Sequence, residues 1–211
     1  MNQTPSVAFE SELRKSILRF GIAGLKEEQI LQLVKHYELL CKWNQRFNLT
    51  RITKPKDAAT LNYAESLYGA RFIGEAKTVL DIGSGAGFPA VPIAITLPEL
   101  EVTALEANQK KSLFLTEAKY ELRLNNLKVV TARLEDVDVS EYDLLSSRAL
   151  DRAEAMLPSI LSRLAKGQRM MLYCVQELIH KLLSQFPVGF KVETGKIPES
   201  EERLIAIFSR E

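Results

Sequence analysis

The chain has 211 residues, 46% of them hydrophobic and 26% charged, which is typical of one globular domain with a small accessory element. Its 28 basic and 27 acidic residues nearly cancel, so any nucleic-acid surface has to be a local patch. No segment approaches the roughly 18 continuous apolar residues of a membrane span, and the N-terminus lacks a basic-then-apolar leader, so we expect a cytoplasmic protein.

The first third of the chain has the apolar spacing of helices. Residues 11–22 and 26–47 each place apolar side chains along one stripe, and a third helix is predicted over 57–72 after a charged break at Pro55. We therefore expect an N-terminal helical extension over 1–72 and a second domain over 73–211, packed as a single unit.

From Lys77 onward the pattern changes to strands alternating with helices. Nearly continuous apolar strands separated by helix-length segments are typical of a parallel, doubly wound α/β sheet whose two faces are buried. The last two strands have only a short polar connection between them, which predicts an antiparallel hairpin. The predicted strands are 78–82, 101–106, 127–132, 142–147 and 169–175, followed by the hairpin segments 188–197 and 202–210.

A glycine cluster follows the first predicted strand. Gly83, Gly85 and Gly87 are spaced more tightly than the G-x-G-x-x-G loop of dinucleotide-binding proteins, and Asp81 precedes them by two residues. A carboxylate beside such a loop repels a pyrophosphate but attracts a ligand with an ammonium or sulfonium charge. The loop therefore favours S-adenosylmethionine as cofactor, and a tight turn without any ligand is the alternative.

Two further segments lie where this sheet would place a ligand, outside the carboxyl ends of its strands. Glu106 ends the second predicted strand, where its carboxylate is able to accept both ribose hydroxyls. Leu134 and Glu135 follow the third strand and are predicted to lie beside an adenine. The alternatives are a solvated strand end for Glu106 and a plain helix start for the other two.

The end of the fourth predicted strand bears on the class of reaction. Methylation of an exocyclic amine commonly uses a D/N-P-P-aromatic run here, and methylation of a pyrimidine carbon uses a nucleophilic cysteine; the segment around Arg148 has neither. A ring nitrogen with a free lone pair, such as guanine N7, needs only to be held in line with the methyl group. Arg148 is predicted to bind a carboxylate, a phosphate or a guanine edge, and a structural surface arginine is the alternative.

The sequence shows no metal-ligand spacing. Cys41 and Cys174 are far apart, and His36 and His180 are the only histidines. We expect both cysteines to be buried or inert thiols and no metal to be bound.

Taken together, several motifs resemble the RsmG (GidB) family of bacterial enzymes, which methylate N7 of a guanine in small-subunit (16S) ribosomal RNA. They are WNQRFNLTRIT, LDIGSGAGFPAVPIAI, KKSLFL, ARLEDV and SSRAL, between residues 43 and 150. The resemblance implies a Rossmann-like class I S-adenosylmethionine-dependent methyltransferase fold with a mainly parallel seven-stranded sheet and a C-terminal antiparallel hairpin.

The resemblance also implies a site and partners. The family's cofactor contacts fall on Gly83, Phe88, Leu134, Glu135 and Arg148, and Arg148 is the candidate catalytic residue. The implied partner is 16S ribosomal RNA or the small ribosomal subunit, with a monomeric enzyme and no membrane. The family's His-x-x-Asp-Ser run is replaced by NYAES at 62–66.

RNA handling rests on a basic stretch with interleaved aromatic residues. We interpret Trp43 and Phe47 mainly as packing residues and the surrounding basic side chains as candidates for phosphate contacts. A solvated helix face is an equally good interpretation of Lys110 and Lys111. The basic residues of the stretch are Lys42, Arg46, Arg51, Lys54 and Lys56.

Three other functions stay open at this level. A nicotinamide oxidoreductase is disfavoured by Asp81 and by the glycine spacing. A protein that binds S-adenosylmethionine or RNA without transfer, and a methyltransferase acting on a small molecule or a protein, both remain alternatives.

Overall fold

The computed structural model describes residues 4–148, 153–183 and 189–210. Two helices, α1 (Pro5–Arg19) and α2 (Glu27–Asn44), open the chain. A continuous helical segment then runs through α3 (Pro55–Asp57), a π-helical stretch (Ala58–Ala64), α4 (Glu65–Gly69) and a 3₁₀ turn (Ala70–Phe72). The third predicted helix is therefore present, but its middle is π-helical, a form that often marks functional sites.

Seven strands form one sheet in the order β3-β2-β1-β4-β5-β7-β6. Strands β1 to β5 are parallel, and β7 runs antiparallel to both β5 and β6. The predicted α/β class, the parallel order of the first five strands and the C-terminal hairpin are confirmed. The strands are β1 (Thr78–Ile82), β2 (Glu101–Leu105), β3 (Leu127–Val130), β4 (Leu144–Arg148), β5 (Arg169–Val175), β6 (Phe190–Lys196) and β7 (Arg203–Arg210).

The helices between the strands are α5 (Ala90–Thr96), α6 (Gln109–Glu121), α7 (Ala153–Ser162) and α8 (Gln176–Leu183). Short 3₁₀ turns at Leu134–Asp136 and Val139–Glu141 lie between β3 and β4.

Among the parallel strands, two predicted boundaries are wrong by two residues. Strand β4 begins at Leu144 because the carboxylate of Asp143 is used to accept the backbone N–H groups of Lys77 and Thr78, at 2.7 and 3.0 Å. Strand β3 ends at Val130, the last residue that pairs with β2.

The N-terminal helices share a hydrophobic core with the sheet. Phe9 of α1 stacks on Tyr37 of α2 at 4.0 Å between ring centroids, and both belong to one buried cluster that includes Val79 and Val102 of the sheet. The Gln29 side chain also donates to the carbonyl of Ile95 on α5 at 3.0 Å. The burial of these apolar surfaces holds the N-terminal segment against the sheet, near the carboxyl ends of β1 and β4.

Within the described ranges, no helix is both long and apolar enough to cross a membrane.

Candidate active site

A cleft of about 970 Å³ opens at the carboxyl ends of β1 and β4. Strand β1 has β2 on one side and β4 on the other, so this is the point where the sheet's connections change direction. Doubly wound sheets bind their ligands at such a switch point. The cleft is lined by Asn48, Leu49, Thr50, Arg51, Ile52, Asn62, Gly83, Ser84, Gly85, Ala86, Phe88, Lys111 and Arg148.

The cleft has two walls. One is the glycine loop after β1, and the other is built from residues 48–52 and from Asn62, all of which precede the sheet. The cleft brings together four predicted site residues, Gly83, Gly85, Phe88 and Arg148. Leu134 and Glu135 lie in the 3₁₀ turn after β3 and are not among the residues that line it.

The three glycines of the loop have positive φ angles, but they serve different purposes. A Cβ built on Gly83 would meet no atom within 4 Å, and one on Gly85 would meet only the Gly83 carbonyl at 3.7 Å, so both face open space in the cleft. A Cβ on Gly87 would lie 2.7 Å from Val91 and 3.2 Å from His36. The first two glycines therefore leave room for a ligand, whereas Gly87 leaves room for the protein's own packing.

This difference gives a direct test of the loop. We expect Gly83→Ala and Gly24→Ala each to lower the free energy of unfolding by about 1–2 kcal/mol, because each puts a Cβ on a left-handed residue; the φ angles are +73° and +80°. Only Gly83→Ala adds an atom to the cleft, and we expect it to weaken S-adenosylmethionine binding by about tenfold or more.

Thermal denaturation and calorimetric titration of both variants provide the measurements. Equal cofactor affinity in the two variants would contradict a cofactor-binding role for the loop.

Asp81 lies beneath this loop and is only 1% exposed. Neither of its carboxylate oxygens has a hydrogen-bond partner among the described residues. Burial raises the pKa of Asp81 to about 7, although the hydroxyls of Ser84 and Ser146, the backbone N–H of Ala90 and the charge of Arg148 oppose that rise. A buried carboxylate that its surroundings compensate so weakly is costly to ionise, so a cationic group bound above the loop would stabilise its charged form.

Glu106 joins the loop to the second strand. One carboxylate oxygen accepts the backbone N–H of Gly85 at 2.9 Å, and the other accepts that of Asn108 at 2.8 Å. A carboxylate has about four acceptor sites, so two hydrogen bonds leave capacity for the two hydroxyls of a ribose. The same bonds hold Gly85 in place.

Arg148 is anchored to the helical segment that precedes the sheet. Its guanidinium donates to the backbone carbonyls of Leu61 and of Asn62, the latter at 3.3 Å, and its Cζ lies 5.9 Å from the centre of the Phe88 ring. Burial lowers the pKa of Arg148, and the nearby carboxylate of Glu65 opposes that change. Arg148 therefore connects both walls of the cleft.

Glu65 is a second buried carboxylate, with a side chain that is 3% exposed. It lies 3.7 Å from a guanidinium nitrogen of Arg148 and 2.8 Å from one of Arg203, the second contact being ionic without hydrogen-bond geometry. Burial raises the pKa of Glu65, and both arginines oppose the rise. Glu65 occupies the place of the aspartate in the His-x-x-Asp-Ser run, so a carboxylate is retained there.

Asn44 organises the outer wall. Its side chain accepts the backbone N–H groups of Leu49 and Thr50 at 2.8 and 2.9 Å and donates to the Thr50 carbonyl at 3.0 Å. These bonds fix the turn that carries residues 48–52 into the cleft. Asn44, which follows Trp43 in the WNQRFNLTRIT motif, therefore has a structural role that the sequence pattern does not indicate.

The aromatic residues of the basic stretch are packing residues, as the sequence interpretation favours. Trp43 contacts Phe47 and the buried Phe114 of α6, at 5.3 and 5.8 Å between ring centroids. Lys110 lies 5.5 Å from the centre of the Phe47 ring, while Lys111 lines the cleft.

The buried His36 lies behind the loop. Its Nδ1 is 2.8 Å from the Tyr63 hydroxyl, and burial lowers its pKa to about 3, so the imidazole is neutral at physiological pH. Its Nε2 lies close to Gly87, so that a side chain at position 87 would collide with the imidazole.

Neither cysteine is among the residues that line the cleft, and burial raises the pKa of Cys41 and that of Cys174, the latter to about 12. The described parts of the chain contain no group of three or more His, Cys, Asp or Glu side chains able to hold a metal ion.

Comparison with known proteins identifies the family. The family model described as rRNA small subunit methyltransferase G matches residues 29–185, about three quarters of the chain. The chain belongs to the rRNA small subunit methyltransferase G family. The resemblance inferred from the sequence motifs is thereby confirmed.

Relatives from several bacteria carry the name ribosomal RNA small subunit methyltransferase G. The protein of Neisseria gonorrhoeae is 39% identical over 140 residues, which cover 64% of this chain and 68% of that protein. The protein of Leuconostoc citreum is 30% identical over 202 residues, covering 88% of this chain and 84% of its own. The similarity to this relative therefore covers nearly nine tenths of the chain.

Solved structures of methyltransferases share the fold. An O-methyltransferase from Bacillus cereus, solved in complex with SAH, superposes with a TM-score of 0.61 at 16% identity and covers 96% of this chain and 100% of that one. An SAH-bound methyltransferase from Podospora anserina gives 0.62 at 13% identity, covering 96% of both chains. The predicted class I methyltransferase fold is confirmed for this member of the rRNA small subunit methyltransferase G family.

Proposed function

We propose that this protein transfers a methyl group from S-adenosylmethionine to N7 of a guanine in small-subunit ribosomal RNA. The observation that carries the proposal is the cleft at the switch point of a methyltransferase sheet, in a chain that belongs to an rRNA methyltransferase family. Its two walls separate a cofactor side from a substrate side.

The residues of the glycine loop fit this cofactor. Gly83 and Gly85 leave open space, the buried carboxyl group of Asp81 has a pKa of about 7 and gains from a nearby positive charge when ionised, and Glu106 has spare acceptor capacity. When bound, S-adenosylmethionine supplies an electrophilic methyl group on a sulfonium. Asp81 would favour the positive charges of the cofactor, Glu106 would accept its ribose hydroxyls, and the Phe88 ring would exclude water beside the loop.

Guanine N7 suits a site that holds no general base beside its substrate wall. N7 has a free lone pair and loses no proton on methylation, so positioning in line with the sulfonium provides the rate. The only titratable side chains that line the cleft, within the described residues, are the cations Arg51, Lys111 and Arg148. These are suited to RNA phosphates and to fixing the site's geometry rather than to removing a proton.

The substrate wall is where RNA would enter. Arg51 and Lys111 both line the cleft. Arg51 comes from the segment before the sheet, and Lys111 lies on α6. Unpaired RNA is commonly held by phosphate contacts while a base is turned out of its stack. We propose that a guanine of 16S ribosomal RNA, free or within the small subunit, enters between residues 48–52 and the glycine loop of a monomeric, cytoplasmic enzyme.

Radiolabel transfer tests the function. We expect purified protein to transfer tritium from labelled S-adenosylmethionine to small-subunit RNA from cells that lack this gene, and not to large-subunit RNA. Cofactor binding without transfer to either RNA would contradict the proposal and favour another substrate or a non-catalytic role.

A further inference from the structure

The carboxamide of Asn62 is a buried hydrogen-bond donor that the protein does not use. Asn62 is 4% exposed, and its Nδ2 has no hydrogen-bond partner among the described residues. Buried polar groups in native proteins are nearly always hydrogen-bonded, because an unpaired one forfeits its bonds to water. An unsatisfied donor at the edge of a cleft therefore indicates a ligand that accepts from it.

The position of this donor is tightly fixed. Asn62 lies in the π-helical stretch, and its backbone carbonyl accepts from the guanidinium of Arg148 at 3.3 Å and from the hydroxyl of Ser66. Arg148 in turn holds the neighbouring carbonyl of Leu61 and is held by Glu65. The backbone of Asn62 is thus held against the end of β4, while the Nδ2 of its side chain makes no hydrogen bond within the described residues.

Asn62 belongs to the wall that faces the glycine loop. It lines the same cleft as Gly83 and Phe88 but comes from the segment before the sheet, together with residues 48–52. A base that reaches the loop from this side would lie between the carboxamide and the cofactor.

We propose that Asn62 donates a hydrogen bond from Nδ2 to O6 of the target guanine and thereby selects guanine over adenine. The inference rests on the proposed function and names the residue that reads its substrate. Guanine presents two acceptors, N7 and O6, on the edge that is methylated, whereas adenine presents N7 and an N6 amino donor. An asparagine donor satisfied by O6 leaves the N7 lone pair free to attack, and the adenine amino group would leave it unpaired.

The test pairs an asparagine of the cleft with one outside it. Asn62→Leu has nearly the same shape and removes the donor, and Asn125→Leu makes the same change at an exposed position in the turn before β3, which does not line the cleft. We expect Asn62→Leu to lower kcat/KM for small-subunit RNA by about 10- to 100-fold, the range for loss of one base contact. The affinity for S-adenosylmethionine should stay within about twofold, and Asn125→Leu should change kcat/KM by less than about threefold.

Thermal stability separates binding from a structural role. Because Asn62→Leu replaces an unsatisfied donor with an apolar group, we expect the variant to melt at the same temperature as the parent or higher. A lower melting temperature with proportionate loss of activity would overturn the proposal. Weaker cofactor binding with unchanged RNA kinetics would overturn it too, because the donor would then serve the cofactor's carboxylate.

A substrate analogue completes the argument. The guanine that carries the label in parent RNA is replaced by 2-aminopurine, which keeps N7 and lacks O6. We expect the parent to lose activity on this RNA and Asn62→Leu to lose nothing further, because the partner of the deleted donor is already absent. Independent, multiplicative losses would overturn the proposal. Failure of the parent to label guanine at all would instead refute the proposed function, and the role of Asn62 with it.

Discussion

Replacing Asp81 with asparagine is expected to weaken S-adenosylmethionine binding by about tenfold near pH 7.5, since one buried charge interaction of about 1.4 kcal/mol is lost. The carboxylate is 1% exposed and unpartnered among the described residues, so its charge is poorly screened. It does not line the cleft itself. Asp81 therefore acts on a cation above the loop through its charge and not through direct contact.

The pH dependence of this effect follows from the raised pKa of about 7. The folded protein keeps a proton on Asp81 at pH values where the unfolded chain, with an ordinary carboxyl pKa, has lost it. The parent's free energy of unfolding should therefore fall as pH rises from about 4 to about 7, and Asp81→Asn should remove that decline. Cofactor binding to the parent should tighten between about pH 6 and 7.5, as the carboxylate ionises, and binding to the variant should not.

Calorimetric titrations at several pH values, with denaturant unfolding on the same samples, measure both quantities. Glu106→Gln is a useful companion change. The Glu106 carboxylate accepts the backbone N–H groups of Gly85 and Asn108, and its contribution to cofactor binding should not follow the titration of Asp81. A pH profile of cofactor binding that is unchanged in Asp81→Asn would contradict a role for its charge.

Removing the Arg148 guanidinium is expected to abolish most methyl transfer, by about 100-fold or more, since both the geometry and the charge of the cleft depend on it. The contacts of Arg148 lead us to expect a cost in stability as well, because two backbone carbonyls lose a hydrogen-bond donor and the buried carboxylate of Glu65 loses an ion-pair partner. Breaking such a buried pair costs about 3 kcal/mol.

Arg203 provides the matched control. It is the other arginine that contacts Glu65, at 2.8 Å, and it does not line the cleft. We expect Arg148→Met and Arg203→Met both to lower the unfolding free energy, whereas only Arg148→Met should lower kcat for RNA methylation. Equal losses of kcat in the two variants, measured below their melting temperatures, would show that Arg148 acts only by stabilising the fold.

Much of the scaffold could be predicted because apolar periodicity and glycine placement are local properties of the sequence. The bounds of β1 and β5 agree with the prediction, and the ends of β3 and β4 do not, because pairing with β2 and capping by Asp143 decide them. The middle of the third helix is π-helical, which a count of apolar residues does not distinguish from an α-helix.

The site was predictable only in part. Gly83, Gly85 and Phe88 line the cleft, but Gly87 is constrained by Val91 and His36, and no spacing rule separates a glycine that faces a ligand from one that faces a side chain. The sequence marks Asn62 only as part of a segment that departs from a family motif. That its Nδ2 lacks a hydrogen-bond partner can be recognised only from the three-dimensional structure.

The network around Glu65 was missed for a related reason. Arg148 and Arg203 are separated from it by more than 80 residues along the chain, and only the fold brings the three charges together. Glu65, whose side chain is one methylene longer than that of aspartate, stands where the His-x-x-Asp-Ser motif has its aspartate.

The measurement that tests the central claim most directly is nucleoside analysis of small-subunit RNA after reaction with labelled S-adenosylmethionine. Complete digestion and chromatography should place the label in 7-methylguanosine. Label in an exocyclic-amine or pyrimidine-carbon product, or no label in RNA under conditions where the cofactor binds, would contradict a site that works by positioning a guanine N7.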